Sequence, residues 1–129
     1  MTDLPAPLRA FLDLYADGEF WESHEALEDA WRETGSDFYQ ALILYASAWV
    51  HWERQNAHGV RAQLGKALNR LDGYPSPYLG FDVDALRAHC EAARRGVAAF
   101  PEEWSQRVLP MPLEPEVELI RGDEVELAS

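Results

Sequence analysis

Asp37-Phe38-Tyr39-Gln40-Ala41-Leu42-Ile43-Leu44-Tyr45-Ala46-Ser47-Ala48-Trp49-Val50-His51-Trp52 is the stretch whose reading decides the fold. It is apolar on nearly every side, and a helix of that kind belongs in the middle of a bundle, where all its faces are covered. Either Ser36 or Asp37 can cap its start. Upstream, Glu19 to Thr34 carries a second helical period closed by Gly35. Before it, Pro5 and Pro7 stand where a helix can begin, and Leu8, Phe11, Leu12 and Tyr15 recur at three- and four-residue spacing until Asp17-Gly18 interrupts them.

Downstream, His58 to Leu71 is amphipathic through Val60, Leu64, Ala67, Leu68 and Leu71, and Gly73 ends it. Tyr74 to Phe81 holds two prolines and Gly80, so it forms a crossover that no helix can continue through. Asp82 or Asp84 caps a fifth helix with Val83, Leu86, Cys90, Ala93 and Val97 on one face, ending near Phe100. After it, Pro101, Pro110, Pro112 and Pro115 forbid a long helix. Val117-Glu118-Leu119-Ile120 and Val125-Glu126-Leu127 alternate around Gly122-Asp123, which predicts a small hairpin or an extended arm. The expected fold is all-α: one compact, mostly antiparallel bundle of about five helices over residues 1–100, with a Pro-rich, acidic C-terminal arm over 101–129.

Composition narrows the function classes. With 129 residues, 47% of them hydrophobic, the chain can bury one core and is too short to suggest a second. No run approaches the roughly 18 apolar residues of a membrane span, and no basic-then-apolar leader follows Met1, so a soluble, cytoplasmic protein is expected. Cys90 is the single cysteine, which leaves no disulfide framework; it reads as core packing. The 23 acids against 11 bases give a net charge of -12, which opposes nucleic acid by Coulomb repulsion. Arg54, Arg61, Lys66 and Arg70 gather around the fourth helix and read as a solvated face. His58 and His89 read as surface side chains.

Two polar strips interrupt the apolar pattern. On a helical wheel the second helix places Phe20, Trp21, His24, Leu27, Glu28 and Trp31 on one face, and the third places Gln40, Ser47 and His51 along a strip with Leu44. Unpartnered burial costs roughly 1 to 3 kcal/mol per group, so the strips are expected to face each other and His24, Glu28, Gln40 and His51 to converge. With Glu25 these form the candidate functional cluster.

The stretch Gly18-Glu19-Phe20-Trp21-Glu22-Ser23-His24-Glu25-Ala26-Leu27-Glu28-Asp29-Ala30-Trp31 resembles the signature of the bacterial and archaeal domain-of-unknown-function family 309. Asp37-Phe38-Tyr39-Gln40-Ala41-Leu42-Ile43 and the crossover Tyr74-Pro75 to Leu79-Gly80-Phe81-Asp82 are similar to that family as well, so the resemblance spans about residues 8 to 100. Ala16 departs from it: the family often has Asn there, and the turn into the second helix loses a side-chain acceptor. The resemblance implies an all-helical bundle and no activity.

His24-Glu25-x-x-Glu28 has the spacing of the zinc-protease H-E-x-x-H motif with a carboxylate in place of the last ligand. His24, Glu28 and His51 would together make a chemically reasonable zinc or iron site. A metal-free acid/base pair of His24 and Glu28 is the other catalytic option. The di-iron bundle motif needs a Glu-x-x-His on each of two helices, and the chain has none. No resident cofactor or metal is expected, and the leading expectation is a structural or interaction module, with an enzyme or small-ligand binder as the alternative. The apolar positions Val117, Leu119, Val125 and Leu127 are expected to dock the arm onto the bundle or to pair it with a second copy as a homodimer.

Overall fold

Ser36 is extended, and its hydroxyl accepts from the Tyr39 N–H at 3.0 Å, closing the first turn of the central helix. The computed structural model describes residues 3–128. In it α1 spans Ala6–Ala16, α2 Phe20–Thr34, α3 Asp37–Glu53, α4 Ala57–Leu71 and α5 Val83–Ala99, with a single-turn α6 at Trp104–Arg107. Each start has a local cause: Pro7 stands in the first turn of α1, the Asn56 side chain accepts from Gly59 N ahead of α4, and Asp82 accepts from Ala85 N ahead of α5. Gly35 ends α2 in the left-handed region. The turn beside Ala16 closes through the backbone, with Gly18 N donating to Tyr15 O and Glu19 N to Leu14 O.

Sequential helices are neighbours: α1 packs on α2, α2 and α4 flank α3, and α5 covers α4. The central helix buries Phe38, Tyr39, Leu42, Tyr45 and Trp49 completely, joined by Phe11 and Leu8 from α1, Leu27 from α2 and Leu64 and Leu71 from α4. Cys90 lies in this core with Leu86, Ala93 and Val97, and burial, with Glu91 nearby, pushes its thiol up to about 12, so it packs rather than reacts. No helix among the described residues is long and apolar enough to cross a membrane.

The tail corrects the reading of its alternating pattern. Neither a hairpin nor a free arm forms; the two stretches read as strands are 3-10 turns, Val117–Leu119 and Val125–Ala128, and no strand occurs among the described residues. Trp104, Val108 and Leu113 enter the same core as the helices, and the Trp52 indole donates to Ser105 O at 3.2 Å. Of the four apolar positions expected to dock the tail, Val117 and Leu127 pack against the core and Leu119 and Val125 do not. Val125 is 70% exposed and Leu119 43%, whereas Glu124 and Glu126 are buried. A strand would have put Glu126 outside; the turn carries it inward because unsatisfied donors of the crossover wait there. Ser36 Oγ and Tyr78 OH each donate to the Glu126 carboxylate at 2.6 Å. Glu124 accepts from Leu79 N, Arg121 N and Gly122 N. A hydrogen-bonded carboxylate gains more than a lone apolar turn residue does, and that difference sets the register.

The crossover is held closely from the other side as well. Gly80 has φ +79°, its carbonyl accepts from Glu116 N at 2.9 Å, and a Cβ there would fall 2.4 Å from Glu116 O. Tyr78 and Phe81 form an isolated antiparallel bridge, and Phe38 packs its ring on Tyr74, Tyr78 and Phe81.

Candidate functional site

On α2, the Trp21 carbonyl accepts from His24 Nδ1 at 2.7 Å, which leaves Nε2 facing Glu28 Oε2 at 3.9 Å, beyond hydrogen-bonding reach. Glu28 pairs instead with Arg32 one turn on. The Trp21 ring stands edge-on to the imidazole, 4.8 Å between centroids, and is half exposed. Glu25 is exposed beside them. The sequence set this face in the apolar stripe; Leu27 and Phe20 do point inward, but Trp21, His24 and Glu28 ride its outer edge.

The strip on α3 finds its partners on α4. Gln63 Nε2 donates to Ser47 Oγ at 2.8 Å. The Asn56 amide donates to His51 Nδ1 at 3.1 Å while its oxygen holds the Gly59 N–H, so His51 buttresses the cap of α4. Gly59 is required by this contact, since a Cβ would stand 2.4 Å from the imidazole. Burial, and then the Arg54 cation, hold the His51 pKa below its usual value. Gln40 lines a cleft of about 460 Å³ with Leu44, Lys66, Asn69 and Arg70. The five candidates thus occupy three settings: His24, Glu25 and Glu28 on the α2 edge, Gln40 at the α3–α4 cleft, and His51 at the α4 cap. Among the described residues no group of three or more His, Cys, Asp or Glu side chains is placed to hold a metal ion.

Sequence reasoning missed a further network because its members lie far apart in the chain. His89, expected at the surface, is half-buried between α3 and the tail. Its Nε2–H donates to Leu109 O at 2.9 Å, so its Nδ1 accepts from Tyr45 OH at 2.8 Å. The same hydroxyl accepts from Met111 N at 3.2 Å, and Tyr15 OH donates to Met111 O at 2.6 Å. Burial drives the Tyr15 and Tyr45 hydroxyls far above their usual range, so both are fixed as neutral donors. The periodic spacing of Tyr15 and Tyr45 gave the one available signal, a hydroxyl carried on a fully apolar face.

Burial depresses the His89 pKa below 6.5, against a smaller upward pull from Leu109 O. Protonation would put a second donor against the Tyr45 hydroxyl. A depressed histidine gives stability that is complete above the unfolded value and is lost as pH falls below 6.5 toward the folded value. Urea midpoints measured at pH 7.5 and pH 5 are therefore expected to drop further for the natural chain than for His89→Ala. An equal drop in both would show that His89 plays no part in the slope.

No curated protein and no solved structure matches the chain. The family model for a domain of unknown function, DUF309, matches residues 8–63, from Leu8 in α1 to Gln63 in α4. The crossover lies beyond that match; the Trp21–His24–Glu28 edge, Gln40 and His51 lie within it, and over those residues, fewer than half of the chain, it is similar to the family DUF309.

Proposed function

We propose that the chain works as an interaction module and that its contact surface is the outer edge of α2. One observation carries the reading: Trp21 is half exposed, yet its ring is fixed against His24, whose own ring is tied to the Trp21 carbonyl. A large aromatic surface held in one orientation in front of water loses little further freedom on docking, and tryptophan is enriched among residues that dominate protein interfaces. Glu25, Glu28 and Arg32 give the tryptophan a charged rim. The tail is spent within its own chain through Glu124 and Glu126, which leaves the α2 edge as the better surface for a partner. The His24–Glu28 separation of 3.9 Å, with Glu28 engaged by Arg32, supports a positioning role over proton transfer.

A photoreactive phenylalanine analogue at position 21, in cells producing the full chain, is expected to give a discrete crosslinked protein band. The same group at Val125, which is more exposed than Trp21, is the control. Equal crosslinking from both positions, or none from position 21, would remove the proposal.

A further inference from the structure

The chain's bases are not spread evenly over it. Between Glu53 and Asp72 the sequence holds Arg54, Arg61, Lys66 and Arg70 and not one acid, in a chain where acids outnumber bases 23 to 11. The fold sets part of this segment against α3, where Gln40 and Leu44, both partly buried, and the exposed Lys66, Asn69 and Arg70 line an open surface cleft of about 460 Å³. Every polar group lining it is a cation or an amide. Arg70 reaches Asp37 at the rim, 3.3 Å away, with both side chains about half exposed. Gln40, Lys66 and Asn69 have no side-chain hydrogen bond or ion pair among the described residues. Their donor capacity is therefore open, and an arginine holding one carboxylate oxygen keeps further N–H groups to offer.

We infer that this cleft binds a small phosphate monoester. Lys66 supplies a point charge and Arg70 a planar fork, the two ways in which proteins hold phosphate oxygens. The Gln40 and Asn69 amides can donate to the remaining oxygens, and Leu44 offers an apolar wall to a short organic body. The volume falls within the ~300–1,000 Å³ range usual for small-ligand sites. The net charge of -12 does not prevent this, because at physiological salt charges beyond about 8 Å are largely screened while Lys66 and Arg70 act at contact. A long polyanion such as nucleic acid would meet the acidic remainder of the surface; a small dianion would not.

The test is a titration of the full ¹⁵N-labelled chain with glycerol 3-phosphate, inorganic phosphate and acetate, following the side-chain amides of Gln40 and Asn69. Saturable shifts are expected with the ester at a Kd of about 1 mM or tighter. The double variant Lys66→Ala/Arg70→Ala should weaken binding at least ~10-fold, a loss of about 1.4 kcal/mol. Lys66→Arg should retain it, and Arg95→Ala, which alters the separate α4–α5 cleft, should leave it unchanged. Inorganic phosphate binding as tightly as the ester would overturn the ester assignment in favour of free phosphate. Shifts that do not saturate, or equal weakening by Arg95→Ala, would overturn the site itself and leave diffuse surface charge. A lost crosslink at position 21 would not bear on these amides, so the two proposals fail separately.

Discussion

Glu126→Ala lowers the unfolding free energy by about 3 kcal/mol, as a shift in denaturant midpoint at unchanged slope, because two buried hydroxyls lose an acceptor that charge makes strong. Glu126 is fully buried, and its two oxygens receive Tyr78 OH and Ser36 Oγ at 2.6 Å each. Ser36 also caps α3, so the variant leaves that cap hydroxyl without its acceptor while its bond to Tyr39 N survives. Tyr39, Tyr74 and Tyr78 sit close enough to the Glu126 carboxylate for its charge to raise their hydroxyl pKa values, second to burial for Tyr39 and a smaller influence for Tyr74. Glu126→Gln keeps the shape and can still accept one hydroxyl, so it should lose less than half as much. Val125→Ala, next to it and exposed, should change nothing measurable; a loss equal to that of Glu126→Ala would mean that the turn packs non-specifically and that the carboxylate has no anchoring role.

The second large effect comes from Gly80→Ala, with an expected loss of about 2 to 4 kcal/mol. Part of it is backbone strain at φ +79°, and part is collision of the new methyl with Glu116 O, a backbone atom that cannot swing aside. Gly73 separates the two contributions. It has nearly the same dihedral, φ +84°, but nothing within 4 Å of the position a Cβ would take, so Gly73→Ala reports the strain alone, about 1 kcal/mol. Equal losses for the two variants would show that the crossover and the tail are not in contact at Glu116. A larger loss for Gly80→Ala, with weaker amide protection of Glu116 N, confirms that the glycine exists to let the two backbones meet.

Acid lowers stability through the same region. Burial raises the Glu124 carboxyl, but the N–H groups of its own residue, Arg121, Gly122 and Leu79 together bring it below the usual 4.5. A depressed carboxylate stabilises above its unfolded value and loses that contribution as pH falls through the folded one, so Glu124 extends to lower pH the loss that His89 begins below 6.5.

The helices were legible because each rests on local rules. An apolar run such as Phe38 to Trp52 has no use except at the centre of a bundle, and Ser36, Asp82 and Gly35 stand where caps are needed. The tail was not legible, because alternation describes a strand and a 3-10 turn equally well until the partner is known, and the partners of Glu126 lie in the α3 cap and the crossover. The candidate residues were legible as a set but not in their grouping. A helical wheel puts Gln40, Ser47 and His51 on one line, but it does not say whether that line meets α2 or α4, and Gln63 and Asn56 settle it. His89 escaped for the same reason: what makes it more than a flank residue is a hydroxyl on another helix and a carbonyl in the tail.

The bond between Ser36 and Glu126 spans 90 residues of chain, and that separation becomes a delay during synthesis. Ribosomes add roughly 5–20 residues per second, so Glu126 is added several seconds or more after Ser36. Helices form in microseconds or less. When Ser36, Tyr78 and Leu79 have been made, the two glutamates that hold them have still to be added, so the bonds that close the crossover end of the bundle are among the last the growing chain can form.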